Sequence, residues 1–234
     1  MALLEQQAQL LHTEDVGPSI RLFRFQIPTL ERFDFLPGQW VSLTQEIQGK
    51  KITRAYSLAS LPTGNEFEIC LNLVEDGHFT PYLFGLKPGD TVPLKGPVGT
   101  FTMRDKSREA VFVATGTGVV PFRGMLRLRD LLPNGTPVAL IFGARYQENL
   151  MFDEEFKKLA AEYPNFKYIP TVTRPTDSWT GSKSRVQPVL WDHIGDRKDL
   201  DVYICGLKEM VDDVREQLKA RGFERKQIIS EKFD

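Results

Sequence analysis

Two stretches of the chain carry residue types that can do chemistry. Arg54-Ala55-Tyr56-Ser57 sets a guanidinium, a phenol and a hydroxyl within one short segment. A guanidinium can clamp a diphosphate bidentately, a phenol ring can cover a flat heteroaromatic ring, and a hydroxyl can hydrogen-bond one of its nitrogens. Further along, Ala110-Val-Phe-Val-Ala114-Thr-Gly116-Thr117-Gly118-Val-Val-Pro121 passes from an apolar run through a glycine turn into a proline-started helix. Gly116 and Gly118 permit tight turning and close backbone approach, and the free N–H groups of a first helical turn attract phosphate. Taken singly, the first motif is equally an ordinary strand with one surface arginine. Together they imply a flavin site and a pyridine-nucleotide site in one chain.

The elements that must position these residues fall into two patterns. Up to about position 100 the chain reads as short strands at 20–27, 40–45, 55–58, 67–74 and 91–95, punctuated by Pro37-Gly38, Pro62-Thr-Gly64 and Pro88-Gly89-Asp90. Strands of this length and spacing predict a small antiparallel β-barrel. Alternation along 54–57 sends Arg54 and Tyr56 to one face and Ala55 and Ser57 to the other. From Ala110 the rhythm becomes strand 110–114, helix 121–132, strand 138–142, helix 153–162, strand 167–173, a turn or helix at 186–193, strand 202–205, helix 209–221 and strand 228–229. Such alternation predicts an α/β domain with a parallel sheet. The hydrophilic stretch 103–109 separates the patterns, which places the domains at 1–104 and 105–234.

Composition excludes several classes. Thirty basic against 31 acidic residues leave a formal charge of −1 with no long basic run, so a nucleic-acid partner has no electrostatic support. No run of eighteen apolar residues and no basic start followed by an apolar core is present, which predicts a soluble, cytoplasmic protein without a membrane partner. Cys70 and Cys205 lie far apart, and His12, His78 and His193 lack ligand spacing, so neither a metal site nor an iron–sulfur cluster is expected.

The order Arg54-x-Tyr56-Ser57, Gly96-Pro-Val-Gly99-Thr-Phe101, Gly116-Thr117-Gly118-x-x-Pro121 and Cys205-Gly206 resembles one family, the ferredoxin–NADP reductase superfamily. Within it the chain looks most like the bacterial ferredoxin/flavodoxin–NADP reductases. The resemblance spans essentially the whole chain and implies an FAD-binding barrel followed by an NAD(P)-binding α/β domain, with the isoalloxazine between them. It assigns the flavin ring and diphosphate to Arg54, Ala55, Tyr56 and Ser57, and the ribityl chain to Leu71, Asn72 and Leu73. The turn Asp76-Gly77-His78-Phe79-Thr80 corresponds to a second phosphate loop, with Thr80 in place of a serine; on its own, this segment also reads as a hairpin turn. Thr117 would approach the flavin from the second domain.

For the nucleotide, Gly143-Ala144-Arg145 and Thr173-Arg174-Pro175 close two parallel strands, where ligands bind. The resemblance gives Arg145 and Arg174 to the 2′-phosphate of NADP, with Lys183 or Arg185 following. The absence of an acidic residue placed for a free ribose 2′-OH favours NADPH, although NADH-using relatives carry similar arginines and a Trp-x-Gly like Trp179-Thr-Gly181. Gly116, Gly118, Gly206, Leu207 and Lys208 complete the expected nucleotide contacts. Cys205 is expected near nicotinamide C4; read from spacing alone it is equally a buried apolar filler. Phe233 would stack over the flavin face that nicotinamide must take, and Glu231 could relay protons.

The resemblance thus implies transfer of a hydride from NADPH to FAD, with Tyr56, Ser57, Cys205, Glu231 and Phe233 around the reacting atoms, then of single electrons to a separate ferredoxin or flavodoxin. It also implies a monomer. Two other enzymatic readings stay open: a free-flavin reductase, and the reductase component of an oxygenase whose iron–sulfur protein is a separate chain. A flavin-binding subunit without turnover is the non-enzymatic alternative.

Overall fold

A computed structural model describes residues 5–128 and 130–233. The N-terminal elements are strands β1 (Gln6–Gly17), β2 (Ile20–Gln26), β3 (Trp40–Ile47), β4 (Lys50–Ser57) and β5 (Glu66–Asn72), helix α1 (Phe79–Gly85) and strand β6 (Thr91–Val98). The strands pair antiparallel in the order β4-β3-β6-β1-β2-β5, and a bridge between Leu58 and Ile69 links the two ends of that order, as the predicted barrel requires. Its core is aromatic: Phe23, Phe25 and Phe67 are fully buried, with Phe25 and Phe67 stacked at 5.6 Å.

Strand β1 was not legible in the sequence. Its segment QQAQLLHTEDVG buries only Ala8 and Leu10, and it is held extended by pairing with β2 on one side and β6 on the other. The segment around Gly77 and Thr80 is likewise no hairpin. A turn closed by the Gly77 N–H donating to Val74 O leads into α1, which buries Phe79 and Leu83 at helical spacing.

The second half comprises β7 (Ala110–Thr115), a 3₁₀ turn (Gly116–Val119), α2 (Val120–Leu126), β8 (Val138–Ala144), α3 (Asp153–Glu162), β9 (Phe166–Val172), α4 (Val186–Ile194), β10 (Asp201–Leu207), α5 (Lys208–Ala220) and β11 (Ile228–Phe233). Its strands form one parallel sheet in the order β11-β10-β7-β8-β9. Chain order runs outward from β7 to β9 and then restarts at β10 on the other side of β7. The direction of winding therefore switches between β7 and β10. Helices α4 and α5 cover one face through Val186, Leu190, Val211, Val214 and Leu218 against Val111, Val113, Val202 and Ile204. Alternation sends Ala114, Cys205, Glu231 and Phe233 to the opposite face.

Helix α2 ends at Leu126 rather than 132, before the breakers Pro133 and Gly135, and all seven of its residues are buried. It belongs with the barrel. The two units are Met1–Met103 with Val120–Arg127, and Arg104–Val119 with Leu128–Asp234. The linear expectation of 1–104 and 105–234 differs from this division at α2, which makes contacts with barrel residues. Arg123 donates to Glu68 Oε2 at 2.6 Å and Ala59 O at 3.0 Å, and Phe122 meets Phe101 edge to face at 5.7 Å. Among the described residues no helix is long and apolar enough to cross a membrane, and no cluster of His, Cys, Asp and Glu could hold a metal ion.

Candidate functional site

Within the barrel unit, the Arg54–Ser57 residues occupy the last half of β4, paired with β3 so that Tyr56 lies opposite Val41 and Ser57 opposite Trp40. Arg54 and Ala55 are exposed, Tyr56 is half-buried and Ser57 is buried. The Tyr56 ring is held from one side by Phe79, stacked at 6.2 Å with the planes 23° apart, and Phe79 is itself in the barrel core. Burial pushes the Tyr56 phenol above its ordinary pKa against the smaller, opposite pull of Arg54, so it stays a neutral donor at all working pH. The Arg54 guanidinium hydrogen-bonds the Thr53 carbonyl at 2.9 Å, carries no ion pair among the described residues and is open to an anion.

At the end of β5, Leu71 points into the barrel core and Asn72 outward, and just past the strand Leu73 donates its N–H to Ser19 O at 2.7 Å. His78 stands at the N-cap of α1. The Thr80 hydroxyl accepts from the Val74 N–H at 2.9 Å and pins the 74–77 turn that Gly77 closes. A supported aromatic face, a cation free of carboxylates and a polar turn on one unit fit a flavin ring and its diphosphate.

The residues expected to meet the nucleotide lie at the carboxyl ends of the parallel strands. Gly116, Thr117 and Gly118 form the 3₁₀ turn directly after β7, and Cys205, Gly206 and Leu207 end β10, so both sides of the switch point are built from the predicted residues. Gly118 is required there. A Cβ at Gly118 would fall 2.2 Å from the Cys205 carbonyl oxygen and 2.6 Å from Gly206 Cα, all rigid backbone. Gly206 has φ +145°, and its Cβ would meet the Thr115 hydroxyl at 2.4 Å. The Thr115 hydroxyl is buried and has no hydrogen-bond partner among the described residues, which the sequence reading did not single out.

Cys205 is fully buried and lies opposite Glu231 in register, while Leu207 lies opposite Phe233. Desolvation first, and the Glu231 carboxylate second, push the Cys205 thiol well above its ordinary range, so it is no nucleophile. Cys70, also buried, is pushed up to about 12, mainly by desolvation. Neither thiol reacts with Ellman's reagent at pH 8 in the native protein, and both react after denaturation; rapid native labelling would refute this burial. Phe233 is half-buried, and Leu207 and Lys208 are exposed at the start of α5.

On the other side of β7, Thr173 donates its N–H to Ala144 O at 3.1 Å and Arg174 donates to Arg145 O at 2.8 Å. These bonds tie the loops after β8 and β9 together, and Arg174 reaches the Tyr146 hydroxyl at 3.3 Å. Arg145, Arg174, Lys183 and Arg185 are all exposed and carry no ion pair among the described residues. Missed from the sequence was a hydroxyl cluster of Thr171, Ser182 and Ser184, although the alternation Ser182-Lys183-Ser184-Arg185 held the signal. Cations without carboxylates, beside a glycine turn at a topological switch point, fit a pyridine nucleotide's phosphates.

Comparison with known proteins agrees with this geometry. The oxidoreductase FAD-binding domain family matches residues 7–103, and the oxidoreductase NAD-binding domain family matches 112–216. Ferredoxin–NADP reductase B of Sorangium cellulosum is 36% identical, covering 97% of each chain. The toluate 1,2-dioxygenase electron transfer component of Pseudomonas putida is 31% identical over 97% of this chain and 67% of its own. Among solved structures, an Amycolatopsis cytochrome P450 reductase superposes with a TM-score of 0.89 at 26% identity, covering 99% of this chain and 70% of that one. With both domain families matched in the order of the two sheets and a relative so alike end to end, the chain belongs to the ferredoxin–NADP reductase superfamily of FAD-dependent, pyridine-nucleotide-using oxidoreductases.

Proposed function

We propose that this flavoenzyme takes a hydride from NADPH onto bound FAD and delivers single electrons to a separate ferredoxin or flavodoxin. The observation that carries the choice of NADPH is the group of exposed, carboxylate-free cations Arg145, Arg174, Lys183 and Arg185 after β8 and β9, suited to one more phosphate than NADH has. The 36% identical relative named as a ferredoxin–NADP reductase supports the acceptor.

Bound FAD supplies the two-electron to one-electron conversion. The protein's own residues orient and tune. Tyr56, backed by Phe79, offers a flat face, and Arg54 offers charge to a diphosphate. Ser57 would offer its hydroxyl to a ring nitrogen. Gly118 and Gly206 let the turn after β7 and the end of β10 approach closely at the switch point, where a nicotinamide would enter. Cys205 supplies an apolar, neutral wall, and Glu231, its register partner, would serve as a proton relay. Phe233, at the end of β11, would be displaced by the incoming nicotinamide.

Tyr56→Ala and Ser57→Ala each slow anaerobic flavin reduction about 10- to 100-fold in stopped flow. Unchanged transients in both variants sink the flavin assignment of β4. The reading as a whole is tested by the visible spectrum of the purified protein and its anaerobic bleaching. Oxidised-flavin bands that bleach faster with NADPH than NADH support it, and a colourless protein that consumes NAD(P)H only on flavin addition replaces it with a free-flavin reductase.

A second reading, the reductase of a multi-component oxygenase, is favoured by the 31% identical dioxygenase component. Activity with an oxygenase iron–sulfur protein and none with flavodoxin selects it.

A further inference from the structure

The loop between β9 and α4 turns back on the sheet edge. Ser182 forms a parallel bridge with Thr171, and the Val172 N–H donates to Ser182 O at 3.0 Å, so the chain at Ser182 lies beside β9 before it bends at Ser184 toward α4. Along 182–185 burial alternates: Ser182 and Ser184 are half-buried, Lys183 and Arg185 exposed. What turns the serines inward is Thr171. This residue is fully buried, and its hydroxyl donates to Ser184 O at 2.5 Å and accepts from the Ser184 N–H at 3.3 Å. Ser182 Oγ lies 3.0 Å from the same oxygen and 3.1 Å from Ser184 Oγ, and Trp179 Nε1 donates to Ser182 O at 2.9 Å.

A hydroxyl that satisfies both backbone groups of one residue fixes the segment's register, and in a segment of period two, register decides which side chains face out. A slip by one position would bury Lys183 and Arg185 and expose the serines. Arg174 does not depend on this clamp, because its loop is tied to β8 by the bonds to Ala144 O and Arg145 O.

We infer that Thr171 is a positioning residue for coenzyme selectivity: its hydroxyl holds Lys183 and Arg185 outward, where they meet the additional phosphate of a 2′-phosphorylated nucleotide. The inference rests on the NADPH reading above, and it assigns the discrimination to two cations under control of a buried threonine that touches no ligand.

The test is calorimetric titration of the oxidised, flavin-loaded protein with NADP⁺ and with NAD⁺. Wild type binds NADP⁺ more tightly. Thr171→Val, equal in shape but without the hydroxyl, weakens NADP⁺ about tenfold and NAD⁺ by less than about twofold, a change in ratio that general loosening of the fold would not produce. Thr171→Ser restores the ratio, and the visible spectrum of all variants is unchanged. Should Thr171→Val not fold, Ser182→Ala, which removes one member of the cluster without orphaning Ser184, lowers the ratio about threefold. An unchanged NADP⁺/NAD⁺ ratio in folded Thr171→Val, or in Ser182→Ala where only that variant folds, overturns the role of Thr171 while leaving the NADPH reading intact. Equal affinity of the wild type for both nucleotides overturns the coenzyme reading and this inference with it.

Discussion

Replacing Gly118 with alanine abolishes pyridine-nucleotide-dependent flavin reduction, lowering it at least about 100-fold, and destabilises the α/β unit by about 2–4 kcal/mol. The added Cβ would lie 2.2 Å from the Cys205 carbonyl oxygen and 2.5 Å from its carbon. Both atoms belong to a central strand hydrogen-bonded on two sides, to β7 and β11, so they cannot yield. The 3₁₀ turn must instead lift away from β10, and that opening removes the crevice at the switch point. Gly116→Ala is the control. Gly116 has φ +54° and open space where its Cβ would be, so the substitution costs only the left-handed strain of about 1–2 kcal/mol. Denaturant melts and anaerobic stopped flow on the pair separate close approach from backbone strain. Equal behaviour of the two variants would refute the argument.

Arg123→Met destabilises the barrel unit by about 3 kcal/mol, the lower end of what breaking a buried ion pair costs. Arg123 is 6% exposed, and its guanidinium serves both Glu68 Oε2 and Ala59 O. Removing it leaves a largely buried carboxylate without its cation; Glu68 keeps a side-chain exposure of 21%, which lets water recover part of the loss. The double variant Arg123→Met/Glu68→Leu returns most of the stability, because matched apolar residues no longer require compensation. Urea unfolding of the four proteins gives the coupling. A single-variant cost below about 0.5 kcal/mol would mean that the pair behaves as an exposed one.

Both arguments turn on α2 and the turn before it, where the sequence was informative about chemistry and silent about placement. The glycines announced a tight turn through residue type alone, since only glycine permits these approaches. Nothing in VPFRGML says that the helix after that turn packs with the barrel, because an arginine reads as surface until a glutamate 55 positions away is brought beside it. The same holds at β1, whose polar residues carry little strand signal and which exists through two neighbours distant in sequence.

What the sequence determined by itself is the set of elements with strong local signals and the identity of the groups they carry. The apolar runs of β7, β8 and β10 had to be buried parallel strands, and Arg54-x-Tyr56-Ser57 had to place its arginine and tyrosine on one face, because side-chain period is a local property. Tertiary structure decided what depends on meetings between segments: the strand order that puts the winding switch between β7 and β10, the stacking of Phe79 behind Tyr56, and the clamp of Thr171 on Ser184. These contacts join positions whose partners no periodicity specifies, and they form only when apolar burial draws the segments together and buried polar groups then find partners.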